Sequence, residues 1–247
     1  IGKRLTKSHT GSLSGDNDVF AALFEQLGII EVDNPIQFIE TLKFLSLSNP
    51  INGKNIIGFT CSGGGATMVA DTSDKLGLTF PLFNKRAATY LKEKLPAIAT
   101  VSNPLDYTTP IWGAPEKTKP VFRAAIRSNN FAVAILVQDF PLGGLAESEP
   151  MYLNDSYAFI KESKALKVPP VICSTFPENI NKEIREKLIK KGAIPMQGIE
   201  QCLRAIASAM WFAKKIKTVT VLTKTHVKSE KNKEKNFNEF DGKKYLE

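Results

Sequence analysis

Asn55-Ile56-Ile57-Gly58-Phe59-Thr60-Cys61-Ser62-Gly63-Gly64-Gly65 joins an apolar run to a glycine-opened helix, and this junction decides the fold. Asn55 to Thr60 is too short for a helix and rich enough in isoleucine to read as a buried strand. Ala66 to Leu76 then carries a helical pattern. At the start of such a helix the backbone N–H groups have no intrahelical acceptor, and glycines leave them unshielded, so Ser62, Gly63, Gly64 and Gly65 form an anion-binding corner. It is not a dinucleotide fingerprint, because Met68 stands where the third glycine of G-x-G-x-x-G belongs, and no Gly-Lys-Ser/Thr follows to make a P-loop. The bland alternative is that the glycines only permit a tight strand-to-helix turn.

Downstream the alternation of strand and helix continues. Leu78-Thr79-Phe80 reads as a short strand and Lys85 to Lys94 as a helix. Ile98 to Val101 reads as a strand ending in the loop Asn103-Pro104-Leu105-Asp106. A helix near Lys117 to Ser128 leads to the apolar strand Ala132 to Val137, then to a second glycine loop, Phe140-Pro141-Leu142-Gly143-Gly144. The pattern goes on with a helix near Asp155 to Leu166, a strand at Val171-Ile172-Cys173 and a helix from Lys182 to Lys191 stopped by Gly192. Ile194-Pro195-Met196 is a last short strand, and Ile199 to Lys214 a last amphipathic helix. Short apolar strands separated by helical crossovers predict an α/β protein, a flavodoxin-like doubly wound parallel sheet. Ligands of such sheets sit at the C-terminal strand ends. Asn103, Asp106, Gly143 and Gly144 are therefore candidates for the edge of the site.

Upstream, Ser48-Asn49-Pro50-Ile51-Asn52-Gly53 breaks the pattern and marks a predicted domain boundary. Before it lie a helix entered at Asp33-Asn34-Pro35, a short strand Gly28 to Val32, and a helix from Asp16 to Leu27. One strand and two helices cannot cover a sheet, so residues 1–48 read as the C-terminal part of a second, similar α/β domain. Residues 49–215 form the flavodoxin-like domain, and 216–247 a linker and the start of a further domain. Residues 216 to 236 mix Lys, Glu, Asn and Thr without apolar periodicity, as mobile linkers do. In the Gly/Ser-rich loop Lys7 to Asp16 stands His9, the one histidine outside the Lys-rich tail. A histidine so placed can serve as metal ligand, acid/base, phosphoryl carrier or bystander. No second histidine or cysteine stands at ligand spacing, which speaks against metal.

With 247 residues and 43% hydrophobic content the chain can build a sizeable core. Three cysteines in no framework spacing point to a reducing compartment, and the absence of a signal segment or long apolar run predicts a cytoplasmic protein with no membrane partner. The formal charge is +8, of which +5 falls between Lys214 and Glu247. A cationic excess concentrated in a polar tail predicts a solvated segment and no nucleic-acid partner.

Ser8-His9-Thr10-Gly11-Ser12-Leu13-Ser14-Gly15, with the helix and strand after it, closely resembles the phosphohistidine segment of NDP-forming acyl-CoA synthetases, relatives of the succinyl-CoA synthetase alpha subunit. Phe59 to Asp71 with Leu76-Gly77-Leu78 resembles the glycine-opened helix of that family's CoA-ligase domain. Asn103 to Asp106 resembles its Asn-Pro-hydrophobic-Asp signature, and Phe237 to Glu247 the segment that opens an ATP-grasp domain. The resemblance implies that His9 carries a phosphoryl group, with Ser8, Thr10 and Gly11 supporting the loop and Ser62 to Gly65 holding the charged histidine. It implies CoA, ATP/ADP and Mg as cofactors, the nucleotide and Mg being bound by a domain this chain lacks. The implied partners are a small-molecule carboxylate or acyl-CoA, the missing CoA-binding and ATP-grasp domains of the same polypeptide or of a partner subunit, and further copies in a homo-oligomer. Without those domains the fragment is not expected to be active alone. Three rivals stand beside this reading. The first is a hydrolase using Ser62 or Cys61, which lacks the glycine a nucleophile elbow needs at Thr60. The others are a non-catalytic or regulatory ligand-binding module and a protein acyltransferase built from the same domains.

Overall fold

A computed structural model describes residues 17–51, 53–141 and 146–226. Its centre is β1 (Ile56–Thr60), buried at every position. Four further strands lie parallel to it: β2 (Leu105–Asp106), β3 (Val133–Val137), β4 (Pro170–Ser174) and β5 (Ile194–Gln197). The order β2-β1-β3-β4-β5 is the flavodoxin-like one. Side chains one residue apart on a strand face opposite sides, and each side is covered by helices.

On one side α2 (Pro35–Leu47), α3 (Gly63–Lys75) and α8 (Ile199–His226) place Phe44, Val69, Leu203 and Ile206 over Ile56, Ile135, Val171 and Met196. On the other, α4 (Lys85–Lys94), α5 (Pro115–Ile126), α6 (Glu149–Ala165) and α7 (Lys182–Lys191) place Leu91, Phe122, Phe159 and Leu188 over Ile57, Phe59, Leu136 and Ile172. The rings of Phe59, Phe122 and Phe159 meet edge-on at 5.0–5.7 Å, the arrangement their quadrupoles favour. Helix α7 keeps its predicted bounds because both signals are local: the Asn181 side chain accepts from the Ile184 N–H, and Gly192 stops the helix at φ 85°.

Three predicted strands are not strands. Gly28 to Val32 is irregular, with no described strand beside it. Leu78 to Phe80 contributes only a single bridge, Thr79 to Asn55. Ile98 to Val101 is irregular, and Ile98 is 79% exposed. The strand on that flank of β1 is Leu105–Asp106, inside the predicted loop. Asn103 explains its shortness. Its side chain accepts from the Gly58 N–H (3.1 Å) and donates to the carbonyls of Ile56 and Pro81 (both 3.0 Å), doing for β1 what a neighbouring strand's backbone would do.

Two helices also reach beyond the segments expected for them. Helix α2, expected to close a separate segment, packs along α8 and β5. Glu40 accepts from the Gln197 N–H at 2.8 Å, Gln37 donates to the Gln201 carbonyl, and Phe44 is fully buried. Helix α8 runs past Lys214 to His226, so residues 216–226 of the predicted linker are helical. The remainder of that segment lies outside the described residues, as does the loop 1–16. The first described helix, α1 (Asn17–Leu27), buries none of its residues.

Asn103→Ala should lower stability by about 3 kcal/mol, because it strands a buried N–H and two carbonyls at roughly 1–3 kcal/mol each. Urea unfolding of the 247-residue chain measures this. A loss below about 1 kcal/mol would mean that the flank of β1 does not depend on Asn103.

Candidate functional site

Consecutive strands depart to opposite flanks of β1, toward β2 on one side and β3 on the other, so the crevice at the C-terminal ends of β1 and β3 is the topological switch point. Ser62 caps α3 in extended conformation (φ −138°, ψ 127°), and its carbonyl accepts from Ala66 N–H at 3.1 Å. The Ser62 N–H donates to Thr60 Oγ1 at 3.1 Å. Among the described residues no acceptor meets the N–H groups of Gly63, Gly64 and Gly65, and the Ser62 hydroxyl makes no capping bond. Ser62, Gly63 and Gly64 are exposed.

The glycines differ in their structural reason. A Cβ at Gly65 would stand 2.8 Å from Thr60 Oγ1, so close approach of helix and strand requires glycine there. At Gly64 a Cβ would meet only Ser62 Oγ at 3.7 Å, and at Gly63 only Asp106 Oδ2 at 3.5 Å; neither residue has positive φ. The tight-turn explanation therefore covers Gly65 alone. Glycine disfavours a helix by up to about 1 kcal/mol against alanine, and at 63 and 64 its return is open space over free N–H groups.

Carboxylates flank this corner. Asp106, the last residue of β2, accepts from Thr108 N–H through Oδ1 (2.9 Å) and turns Oδ2 toward Gly63. Asp139, just after β3, accepts from Thr175 N–H at 2.7 Å. Below them Asp155, fully buried on α6, accepts from the Tyr107 hydroxyl (3.0 Å) and the Thr118 hydroxyl (3.3 Å). Burial holds its carboxyl above the ordinary range, against the lowering effect of bonds from the Gly113 backbone, Tyr107 and Thr118. Burial, then the nearby Asp155, also pushes the Tyr107 phenol well up. The half-buried Cys61 thiol is raised, chiefly by burial and further by Asp155, Asp106 and Asp139, although a bond to its own backbone opposes this. A thiol held protonated is a poor nucleophile, which weakens the hydrolase rival at Cys61.

Four buried polar atoms without a partner among the described residues belong to loops or strand ends on this same edge: Thr108 Oγ1, Trp112 Nε1, Gln138 Oε1 and Ser174 Oγ. Orphaned polar atoms concentrate where a ligand or partner completes them. Gln138 could have been found in the sequence, as the first polar residue after the apolar β3 run; the Tyr107–Asp155–Thr118 cluster had no sequence signal, since its members come from three elements.

The structure thus brings Ser62, Gly63, Gly64, Gly65 and Asp106 together. Asn103 it places in the interior, 9% exposed against the middle of β1, as a structural residue rather than a rim. His9, Ser8, Thr10, Gly11, Gly143 and Gly144 lie outside the described residues. Among the described residues no cluster of His, Cys, Asp or Glu could hold a metal ion, and no helix is long and apolar enough to cross a membrane.

Residues 1–45 match the family model of the succinyl-CoA ligase like flavodoxin domain. The ADP-forming acetate–CoA ligase of Methanocaldococcus jannaschii is 33% identical over 106 residues, 43% of this chain and 15% of that protein. The alpha subunit of ADP-forming acetate–CoA ligase II of Pyrococcus furiosus is 24% identical over 210 residues, 85% of this chain and 44% of that subunit. The chain is similar, over part of its length, to ADP-forming acetate–CoA ligases. The fold agrees: acetyl-coenzyme A synthetase 1 of Ca. Korarchaeum cryptofilum, in complex with phosphate and ADP, superposes with a TM-score of 0.70 at 18% identity, over 90% of this chain and 46% of that one. The chain therefore spans less than half of these synthetase relatives.

Asp155 gives a pH test with a fixed sign. Its folded pKa lies above its unfolded value, so the folded state binds the extra proton, and this group's contribution to stability falls as pH rises from about 4 through the folded pKa. Asp155→Asn removes that titration. In thermal melts from about pH 4 to 7, the difference between variant and parent should move in the variant's favour as pH rises; a flat difference would contradict the burial of a charged carboxylate.

Proposed function

We propose that this chain is the part of an NDP-forming acyl-CoA synthetase that carries and receives the phosphoryl group, in the reversible reaction acyl-CoA + ADP + phosphate to carboxylate + CoA + ATP. The reaction proceeds through an acyl phosphate and a phosphohistidine. His9 is the carrier, and the N-terminus of α3 holds the group while it is charged. One observation carries this reading: three backbone N–H groups at the switch point without an acceptor among the described residues, two of them on glycines that neither packing nor backbone conformation requires.

The chemistry suits such a corner. Neutral imidazole accepts a phosphoryl group near neutral pH, its ordinary pKa being about 6.5. The anionic product is stabilised by helix-terminal N–H groups, worth about 0.3–1 kcal/mol when exposed and up to about 2 when partly buried, without a competing nucleophile. Asp106 supplies a carboxylate beside Gly63 that can accept the N–H of the unphosphorylated ring nitrogen and so fix the tautomer. CoA, the nucleotide and Mg fall to the CoA-binding and ATP-grasp domains that the resemblance implies. The acid would be acetate or another small carboxylate, as the names of the relatives suggest. Exposed apolar side chains on α1 (Val19, Phe20, Leu23, Leu27) and on the outer side of α2 (Ile36, Phe38, Ile39, Leu42) support the assignment of residues 1–48 to a second α/β domain, whose remainder would cover them.

In the full-length protein, ATP or acyl phosphate should leave an acid-labile, alkali-stable phosphoryl label on His9, and His9→Ala should remove both label and turnover with the fold intact. Gly64→Val should cut the label by about tenfold or more, a loss of about 1.4 kcal/mol, with little loss of stability, because its side chain enters open space over the N–H groups. A label on a serine or carboxylate, or near-normal turnover by His9→Ala, would sink the proposal.

A further inference from the structure

Helices α4 and α5 line an open groove of about 730 Å³ on the outer side of the sheet. Arg86 and Tyr90 from α4 face Lys119, Arg123 and Arg127 from the neighbouring helix and its cap, with Ser128 beyond it, and no carboxylate lines the groove. Arg123 is held by a two-pronged ion pair with the buried Glu162 (Nε at 2.6 Å, Nη2 at 3.0 Å), which fixes its guanidinium while leaving about half of the side chain exposed. Arg86, Lys119 and Arg127 have no carboxylate partner among the described residues. From Lys85 to Arg127 the sequence has eight Lys or Arg against three Asp or Glu, a net +5, in a chain whose sequence before Lys214 totals only +3. Four of those eight, Arg86, Lys119, Arg123 and Arg127, line the groove.

A second, independent observation marks the same groove as a site. Ser128 is 6% exposed, and its hydroxyl has no hydrogen-bond partner among the described residues, although its own carbonyl accepts from Asn84 Nδ2 at 2.6 Å. A buried hydroxyl left unpaired destabilises the protein unless something from outside completes it.

We propose that the groove is a second ligand site, separate from the glycine corner, for a small molecule carrying a di- or triphosphate. Arg86, Lys119 and Arg127, without a carboxylate partner among the described residues, beside an Arg123 whose charge is already met by Glu162, select a polyanion, and the planar fork of arginine favours phosphate oxygens over a point charge. The volume is that of a small-molecule site. A long nucleic acid or an acidic protein surface would meet an exposed stripe of cations, whereas here the buried Ser128 and the half-buried Tyr90 line a concavity. Tyr90 offers a flat face for a base, so a nucleoside diphosphate and bare pyrophosphate share the phosphate contacts and differ in the ring.

Titration of the 247-residue chain with ADP and with pyrophosphate, at about 150 mM salt to screen diffuse attraction, tests this. Binding with Kd below about 1 mM is expected. Arg86→Ala/Arg127→Ala, both exposed positions, should weaken it by about tenfold or more, and Ser128→Ala by a few-fold. Gly64→Val should leave it unchanged, so failure of the phosphohistidine reading would not touch this one. Tighter binding of ADP than of pyrophosphate places the base on Tyr90; equal binding confines recognition to the phosphates. No binding at this salt, or binding lost in Gly64→Val and kept in the arginine variant, overturns the proposal.

Discussion

Burying all five residues of β1 obliges each of its backbone donors and acceptors to find a partner inside the protein, and the rest of the structure follows from how that is done. Toward β3 the ladder is regular from Ile56 to Phe59. Toward the other flank it is composite: the Thr79 carbonyl takes the Ile56 N–H, the Asn103 amide serves Gly58 and Ile56, and Leu105–Asp106 closes the top, with Tyr107 N–H reaching the Thr60 carbonyl at 2.9 Å. This patchwork fixes the end of β1 and, through the contact of Gly65 with Thr60, the start of α3. The free N–H groups of the candidate site are aimed by a strand whose own hydrogen bonding is complete.

The two ends of the domain are electrostatically unlike. The C-terminal edge sets helix-terminal N–H groups beside Asp106, Asp139 and the deeper Asp155, so that donors and carboxylates share one rim. The α4–α5 groove has cations and no carboxylate on its walls, a setting for holding an anion rather than passing it on. Between them the aromatic cluster of Phe59, Phe122 and Phe159 and the Arg123–Glu162 pair tie α5 and α6 to the sheet, so both surfaces stand on one rigid core.

Helix α2 shows how one helix can serve two packings. Its inner side, Gln37, Glu40, Thr41 and Phe44, is buried against α8 and β5, and its outer side keeps Ile36, Phe38, Ile39 and Leu42 exposed. The buried side is mostly polar and the exposed side apolar, the reverse of an ordinary surface helix. That accords with a match of residues 1–45 to a flavodoxin-like domain in a chain whose own complete sheet begins at Ile56.

What the sequence by itself determined were the features written in local patterns. The apolar runs gave β1, β3, β4 and β5; Asn181 and Gly192 gave the ends of α7; the glycine run after β1 gave the candidate site and the flavodoxin-like order its place. Tertiary structure alone decided the rest. Ile98 to Val101 had a strand's composition but lost its place to a side chain, Asn103, because a strand exists only where a neighbour takes its backbone hydrogen bonds. Leu105–Asp106 became a strand for the same reason in reverse. Helix α8 outran its apolar periodicity to His226, and α2, which stops at Leu47 before the predicted break, packs on elements beyond it because Phe44 and Glu40 have partners far away in sequence. Side-chain periodicity reports which face of an element is apolar; which elements meet, and which backbone groups pair, depends on contacts between residues that the sequence keeps far apart.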